Sequence, residues 1–260
     1  MEEVSVIGLG IVGGSTFIEL NKKIKCYGMD INNSTLEVFK KKGYYVGEEL
    51  KESKIYIIAV YTTDQVFDVL NKIDYSKNPL IVIESTLDIS RIDELEKFIY
   101  EKNFDNLIIF PHRFNPNDTK HHIFNLNRVI GAYNKKALDK ALEFYKRFMD
   151  EKLIHIYDPR IVILCKPIEN AYRFVEITIA ESLKMNCDKL GIDFNKLRES
   201  MNTKWNIDIR EAREGISGNC LPKDMKIVSN YFKDNEILKK VLEIDEVYKN
   251  YIKNSNVFLL

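Results

Sequence analysis

The 260-residue sequence has no excess of charge of either sign: 39 lysines and arginines stand against 39 aspartates and glutamates. That balance argues against a protein that lives on nucleic acid or on an anionic membrane surface. No apolar run approaches the roughly 18–20 residues that a membrane-spanning helix needs. The N-terminus, Met1-Glu2-Glu3, is acidic and leads straight into a strand-like run, so no signal peptide is expected. Cysteine is sparse. Cys26, Cys165, Cys187 and Cys220 show neither CxxC pairing nor zinc-ligand spacing. This excludes a disulfide scaffold or a zinc module and leaves a cytoplasmic protein with reduced thiols as the expectation. Internal repeats and low-complexity linkers are also missing. What is there is 45% hydrophobic and long enough for one large domain or two modest ones with a real core.

The first half alternates short apolar runs with amphipathic ones. Val4 to Ile7, Lys25 to Met29, Ile55 to Val60, Leu80 to Glu84, Leu107 to Phe110 and Arg128 to Gly131 are mostly continuous, as strands buried on both faces read. Helix-like stretches lie between them, at Ser34 to Lys42, Gln65 to Asn71, Ser90 to Asn103 and Lys135 to Asp150. The alternation predicts an α/β domain with a doubly wound, Rossmann-type parallel sheet and right-handed crossovers over residues 1–158. An all-helical domain is predicted over residues 159–260. Its first helix is expected to open at Pro167 and stop at Gly191, with others from Asp193, over Asp224 to Phe232 and over Asn235 to Asn254.

Three clusters carry candidate chemistry. Gly8-Leu9-Gly10-Ile11-Val12-Gly13 follows a strand and opens a helix. Gly8 allows a tight turn, Gly10 lets a pyrophosphate approach the backbone, and Gly13 permits close helix packing. About 20 residues on, Asp30 closes the second strand, where a carboxylate can hold a ribose diol and repel a 2′-phosphate; this favours NAD over NADP. S-adenosylmethionine presents the same diol and is the alternative ligand, and a Rossmann domain that binds nothing is the bland one. The second cluster is Gly215-Ile216-Ser217-Gly218-Asn219-Cys220-Leu221-Pro222-Lys223-Asp224. A helix N-terminus and Lys223 would favour a nucleophilic thiolate at Cys220, whereas a structural turn with an incidental thiol is the plainer reading. The third is Lys166 and Asn170, four apart on one helix face, where an ammonium and an amide could converge on a substrate oxygen. Adjacent His121 and His122 point apart on regular backbone with no acidic or cysteine partner evident, so no metal is expected.

Together these features resemble the UDP-glucose/GDP-mannose dehydrogenase family. The glycine fingerprint with Asp30, the Lys166/Asn170 pair in Lys-Pro-Ile-Glu-Asn-Ala-Tyr-Arg and the Cys-Leu-Pro-Lys-Asp segment come in the family's order and approximate spacing over nearly the whole chain. Val60-Tyr61-Thr62-Thr63, Glu84-Ser85-Thr86 and Pro111-His112-Arg113 are weaker echoes. Gly13-Gly14-Ser15 instead resembles the start of prephenate dehydrogenases, which lack the cysteine segment. The resemblance implies that NAD oxidises a primary alcohol of a sugar nucleotide to an acid in two hydride transfers. Cys220 would hold the aldehyde covalently, Lys166 and Asn170 position oxyanion and water, Asp224 handle protons, and Thr86 stand near the nicotinamide. Ile31 and Val60 to Thr62 would join the glycine turn in binding the cofactor.

Three departures follow. The family normally carries a further C-terminal nucleotide-binding domain, for which this length leaves no room. His112 replaces the glutamate that orients the hydrolytic water, so water activation either passes to an imidazole or is lost. Ser217 and Asn219 replace the usual Gly and His beside the cysteine. The substrate, a small molecule contacted by Arg113 and Lys166, is therefore left open. The competing readings are an S-adenosylmethionine-dependent methyltransferase and a non-catalytic nucleotide-binding relic. Apolar residues around much of the long helix (Ile168, Phe174, Val175, Ile177, Ile179) predict a homodimer through the helical region.

Overall fold

The computed structural model describes residues 2–115, 118 and 120–257. The chain divides into two compact units, Met1–Lys166 and Pro167–Leu260. The first unit contains strands β1 (Glu2–Ile7), β2 (Tyr27–Met29), β3 (Val46–Gly47), β4 (Ser53–Ile58), β5 (Leu80–Ile83), β6 (Leu107–Ile109), β7 (Arg128–Ala132) and β8 (Ile154–Ile156). Helices α1 (Ile11–Asn21), α2 (Asn33–Lys41), α3 (Thr63–Lys72), α4 (Ile92–Glu101) and α5 (Lys135–Tyr145) connect them. The strand order is β3-β2-β1-β4-β5-β6-β7-β8, whose first six members follow the doubly wound dinucleotide-binding pattern. Consecutive strand residues such as those of β5 and β6 are all buried, because helices cover both faces of the sheet.

The sheet is not wholly parallel. β7 runs antiparallel to β6, with Ile108 opposite Ala132 and Ile109 opposite Gly131. No helix is formed by the described residues between these two strands, and without a crossover the chain re-enters the sheet in the reverse direction. Two strands escaped the sequence pattern. β3 has only two residues, and β8 exposes His155 and Ile156.

Among the described residues, the regular structure of the second unit is helical, as expected. The long helix α6 (Pro159–Lys189) begins in the first unit and continues into the second, where α7 (Phe194–Met201), α8 (Cys220–Tyr231) and α9 (Glu236–Val257) follow. Two starts differ from expectation. Pro159, not Pro167, occupies the first turn of α6, and the Asp158 carboxylate caps that turn by accepting the Arg160 N–H at 2.8 Å. Pro167 lies inside the helix, where its ring removes one main-chain donor. Helix α8 begins at Cys220 rather than Asp224, since Pro222 is tolerated in a first turn. Gly191, at φ +67°, stops α6 as predicted. Among the described residues, no helix is long and apolar enough to cross a membrane.

Candidate active site

In the first unit the glycine turn sits at the C-terminal end of β1. Gly8 takes φ +87°, and a Cβ there would come within 2.5 Å of the Ala59 carbonyl oxygen. At Gly13 a Cβ would lie 1.9 Å from the Gly8 carbonyl oxygen, so α1 packs directly on the turn that precedes it. Above Gly10 nothing lies within 4 Å. The backbone at Gly10 is thus open where a side chain would otherwise stand, and α1 begins at the next residue, a helix N-terminus of the kind that favours a phosphate. Asp30, at the end of β2, accepts the Leu9 N–H at 2.6 Å through Oδ2 and the Asn32 N–H at 2.8 Å through Oδ1. A carboxylate has about four acceptor sites, so these two bonds leave it able to accept from a ligand diol. Ile11, Ile31 and Tyr61 are exposed at this same end of the sheet, apolar surface suited to a flat ring.

The segment Val60 to Thr62 is pinned from both sides. Ser85 Oγ accepts the Val60 N–H at 2.9 Å, and Gln65 Oε1 accepts those of Tyr61 and Thr62 at 3.0 and 3.1 Å. Thr62 caps α3 by accepting the Gln65 N–H at 3.2 Å. Thr86, half-buried, follows Ser85 at the end of β5.

Behind this edge lies a buried polar network that the sequence did not reveal. Glu84 and Arg128 side chains are both 0% exposed and meet at 2.8 Å. Thr16 of α1 donates to Glu84 Oε2 at 2.9 Å and lies 3.2 Å from His112 Nε2. Arg128 also donates to the Phe110 carbonyl, and its guanidinium stacks 3.6 Å from the centre of the Phe110 ring. His112 is enclosed, and its Nδ1 has no hydrogen-bond partner. Burial, reinforced by Arg128 and then Lys166, holds its pKa well below the usual imidazole range, so the ring is neutral. Its Nε2, 3.6 Å from Glu84, therefore forms no ion pair. Arg113 contacts the Asn127 carbonyl at 3.4 Å and Cys165 Sγ at 3.7 Å.

In the second unit, the structure brings together three of the predicted residues. Cys220 is exposed as the first residue of α8. Asp224, four residues on and so on the same helix face, is buried and accepts a hydrogen bond from Asn170 Nδ2 at 2.6 Å. Lys223 Nζ stands 3.4 Å from the other Asp224 oxygen. Lys166, the last residue of the first unit, is half-buried. The two adjacent histidines do have acidic neighbours: His121 Nδ1 lies 2.7 Å from Asp118, and His122 lies 3.8 Å from Glu19. Each is a simple pair, and no group of three potential ligands occurs among the described residues.

The chain is similar to known dehydrogenases of nucleotide sugars. Residues 162–247 match the central domain of the UDP-glucose/GDP-mannose dehydrogenase family. The UDP-N-acetyl-D-mannosamine dehydrogenase of Campylobacter jejuni is 26% identical, over 96% of this chain and 73% of its own length. The solved UDP-N-acetyl-mannosamine dehydrogenase of Staphylococcus aureus superposes with a TM-score of 0.82 at 22% identity, covering 100% of this chain and 71% of that one. The UDP-D-ManNAc dehydrogenase of Pyrococcus horikoshii gives 0.81 at 22% identity, over 97% and 70% of the two chains. All three are dehydrogenases, and none supports the S-adenosylmethionine alternative. Residues 162–247 thus match the central domain of the UDP-glucose/GDP-mannose dehydrogenase family, and nearly the whole chain is similar to oxidoreductases of the nucleotide-sugar dehydrogenase type.

Proposed function

We propose that the chain is a cytoplasmic NAD-dependent dehydrogenase that oxidises the primary alcohol of a nucleotide sugar, with Cys220 as covalent nucleophile. UDP-N-acetyl-D-mannosamine, named for its relatives, is the first substrate to test. The observation that carries the reading is the group in the second unit: an exposed thiol opening α8, one turn from a buried carboxylate bonded to Asn170.

The glycine turn 8–13, Asp30, Ile31 and the Val60 to Thr62 segment would hold NAD. The open space at Gly10 and the acceptor sites left on Asp30 fit its pyrophosphate and ribose. The charge of Asp30 disfavours a 2′-phosphate. When bound, NAD supplies the hydride acceptor. The ammonium of Lys166 and the amide of Asn170 stabilise the oxygen on which negative charge develops. The alcohol would first lose a hydride from carbon and a proton from oxygen to give the aldehyde. The Cys220 thiol then adds to the aldehyde carbon, its proton going to the carbonyl oxygen, and gives a thiohemiacetal. Loss of a second hydride from that carbon, with the hydroxyl proton, leaves a thioester, which water cleaves to a carboxylate and the free thiol; each hydride requires one equivalent of NAD. Asp224 passes protons in these steps, and Thr86 stands by the reactive water. The neutral His112 ring is in the form a general base requires, although its enclosure makes it a weak proton acceptor. Ile168, Tyr172 and Ile179 form an exposed stripe at spacings of four and seven along α6, which supports a homodimer through that helix.

Calorimetric titration with NAD, NADP and S-adenosylmethionine tests the cofactor. NAD should bind, and Asp30→Ala should weaken it roughly 10- to 100-fold, the loss expected for a charge-assisted contact. Binding of S-adenosylmethionine with silence from both nicotinamides would overturn the reading. Cys220→Ser should abolish carboxylate formation, and wild-type carboxylate output from that variant would remove the nucleophile from the scheme. A monomeric light-scattering profile at micromolar concentration would refute the dimer.

A further inference from the structure

The segment that leads into α8 is gripped by one face of α9. Asp245 Oδ1 accepts the Ile216 N–H at 2.8 Å, and Oδ2 pairs with Lys249 Nζ at 2.6 Å. Tyr248 donates its hydroxyl to the Arg213 carbonyl at 2.7 Å. Gly215 lies against the Lys249 stem so closely that a Cβ would come within 2.5 Å of Cγ. Positions 245, 248 and 249 share a helix face, and they hold the chain at 213, 215 and 216, just before Cys220.

Next to Asp245 stands Glu181 of α6. Its residue is 0% exposed, and among the described residues no donor reaches either carboxylate oxygen; the Asp245 carboxylate is within hydrogen-bonding reach of the protonated acid. As an anion such a group is costly to bury, and a second carboxylate beside it raises the cost. Burial first, then Asp245, push the Glu181 carboxyl up to about 8, with Lys249 acting in the opposite direction. The phenol of Tyr248 also feels Glu181, followed by Asp188 of α6 and Tyr251 of α9.

We propose that Asp245 is a positioning residue for Cys220, fixing the 213–219 loop and thereby the first turn of α8, and that Glu181 sustains it by presenting a neutral carboxyl in place of a second negative charge. The inference rests on the reading of Cys220 as nucleophile. Lys249 already faces Asp245 at 2.6 Å and Glu246 at 3.3 Å, so ionisation of Glu181 adds a further negative charge beside Asp245, and the hold on Ile216 loosens.

Hydrogen exchange of the Ile216 amide, expressed as a protection factor, tests the anchor without substrate or cofactor. Asp245→Ala should lower that protection roughly tenfold, the worth of one lost hydrogen bond, while the amides of β1 and β4 stay unchanged. Asp245→Asn, whose amide oxygen can accept the same bond, should keep most of it. Wild-type protection at Ile216 after Asp245→Ala would overturn the proposal. Between about pH 7 and pH 9 the wild-type protection should fall, whereas Glu181→Gln should hold it level. Equal slopes in the two proteins would refute the role of Glu181. In turnover, Asp245→Ala should lower kcat and leave NAD affinity unchanged; lost protection with an unchanged kcat would refute positioning. If Cys220→Ser turns over normally while the exchange results hold, the nucleophile reading has failed and the loop anchor stands.

Discussion

Asn170 on α6 donates its side-chain amide to Asp224 on α8 across 2.6 Å, and both groups are buried. The partners are 54 residues apart in sequence. This one bond therefore joins two helices of the second unit at the turn immediately after Cys220. The Lys223 ammonium stands 3.4 Å from the opposite Asp224 oxygen.

Asn170→Ala removes the hydrogen-bond donor and leaves a buried carboxylate under-satisfied. A loss of about 1–3 kcal/mol is expected. Asn170→Asp should be worse, because two carboxylates then face each other. Thermal unfolding ranks the variants, and an alanine variant as stable as wild type would show that the bond contributes nothing net.

Arg128→Met strands the Glu84 carboxylate in an environment without solvent. Breaking a buried pair from one side costs about 3–5 kcal/mol, more than the pair itself contributes. The double variant Glu84→Gln with Arg128→Met should recover part of that loss. Urea unfolding measures both, and strict additivity of the two single losses would mean the side chains are not coupled.

His112 gives the fold an acid-sensitive element. Its folded-state pKa lies well below the unfolded value near 6.5, so the unfolded chain binds a proton that the folded chain refuses. Stability is fully present above the unfolded pKa and falls as pH drops below about 6.5. His112→Gln should flatten the slope on that side. Guanidinium unfolding from about pH 7 to pH 5 is the measurement, and parallel slopes would remove His112 from the account.

The parts of the site that were legible in the sequence are those where local chemistry and structure coincide. Gly8 and Gly13 are placed by turn and packing geometry that other residues cannot adopt. Helical spacing paired Lys166 with Asn170, whereas Cys220 and Asp224 were singled out by the glycine-rich loop and by the resemblance, and their shared helix was not foreseen because Pro222 falls in its first turn. The network of Thr16, Glu84, His112 and Arg128 was not, since its members come from a helix, two strand ends and a reversed strand. Arg128 read only as the start of an apolar strand, and no periodicity marks a guanidinium destined to be buried. The start of α6 was displaced to Pro167 because two prolines eight residues apart each satisfy the rule for a first turn, and only the Asp158 cap distinguishes them.

The reversed direction of β7 limits how this scaffold can be remodelled. Because β7 runs against β6, it enters the sheet at the edge where β5 and β6 end, and its first residue is Arg128. A helical crossover grafted between β6 and β7 would impose the parallel orientation. The same five-residue strand would then deliver its guanidinium about 13 Å away, at the opposite edge. Glu84 would lose its counter-charge although every residue of the strand was retained. Insertions between β6 and β7 are thus compatible with the site only if they return the chain to the edge it left, a topological constraint that no single-site substitution scan would detect.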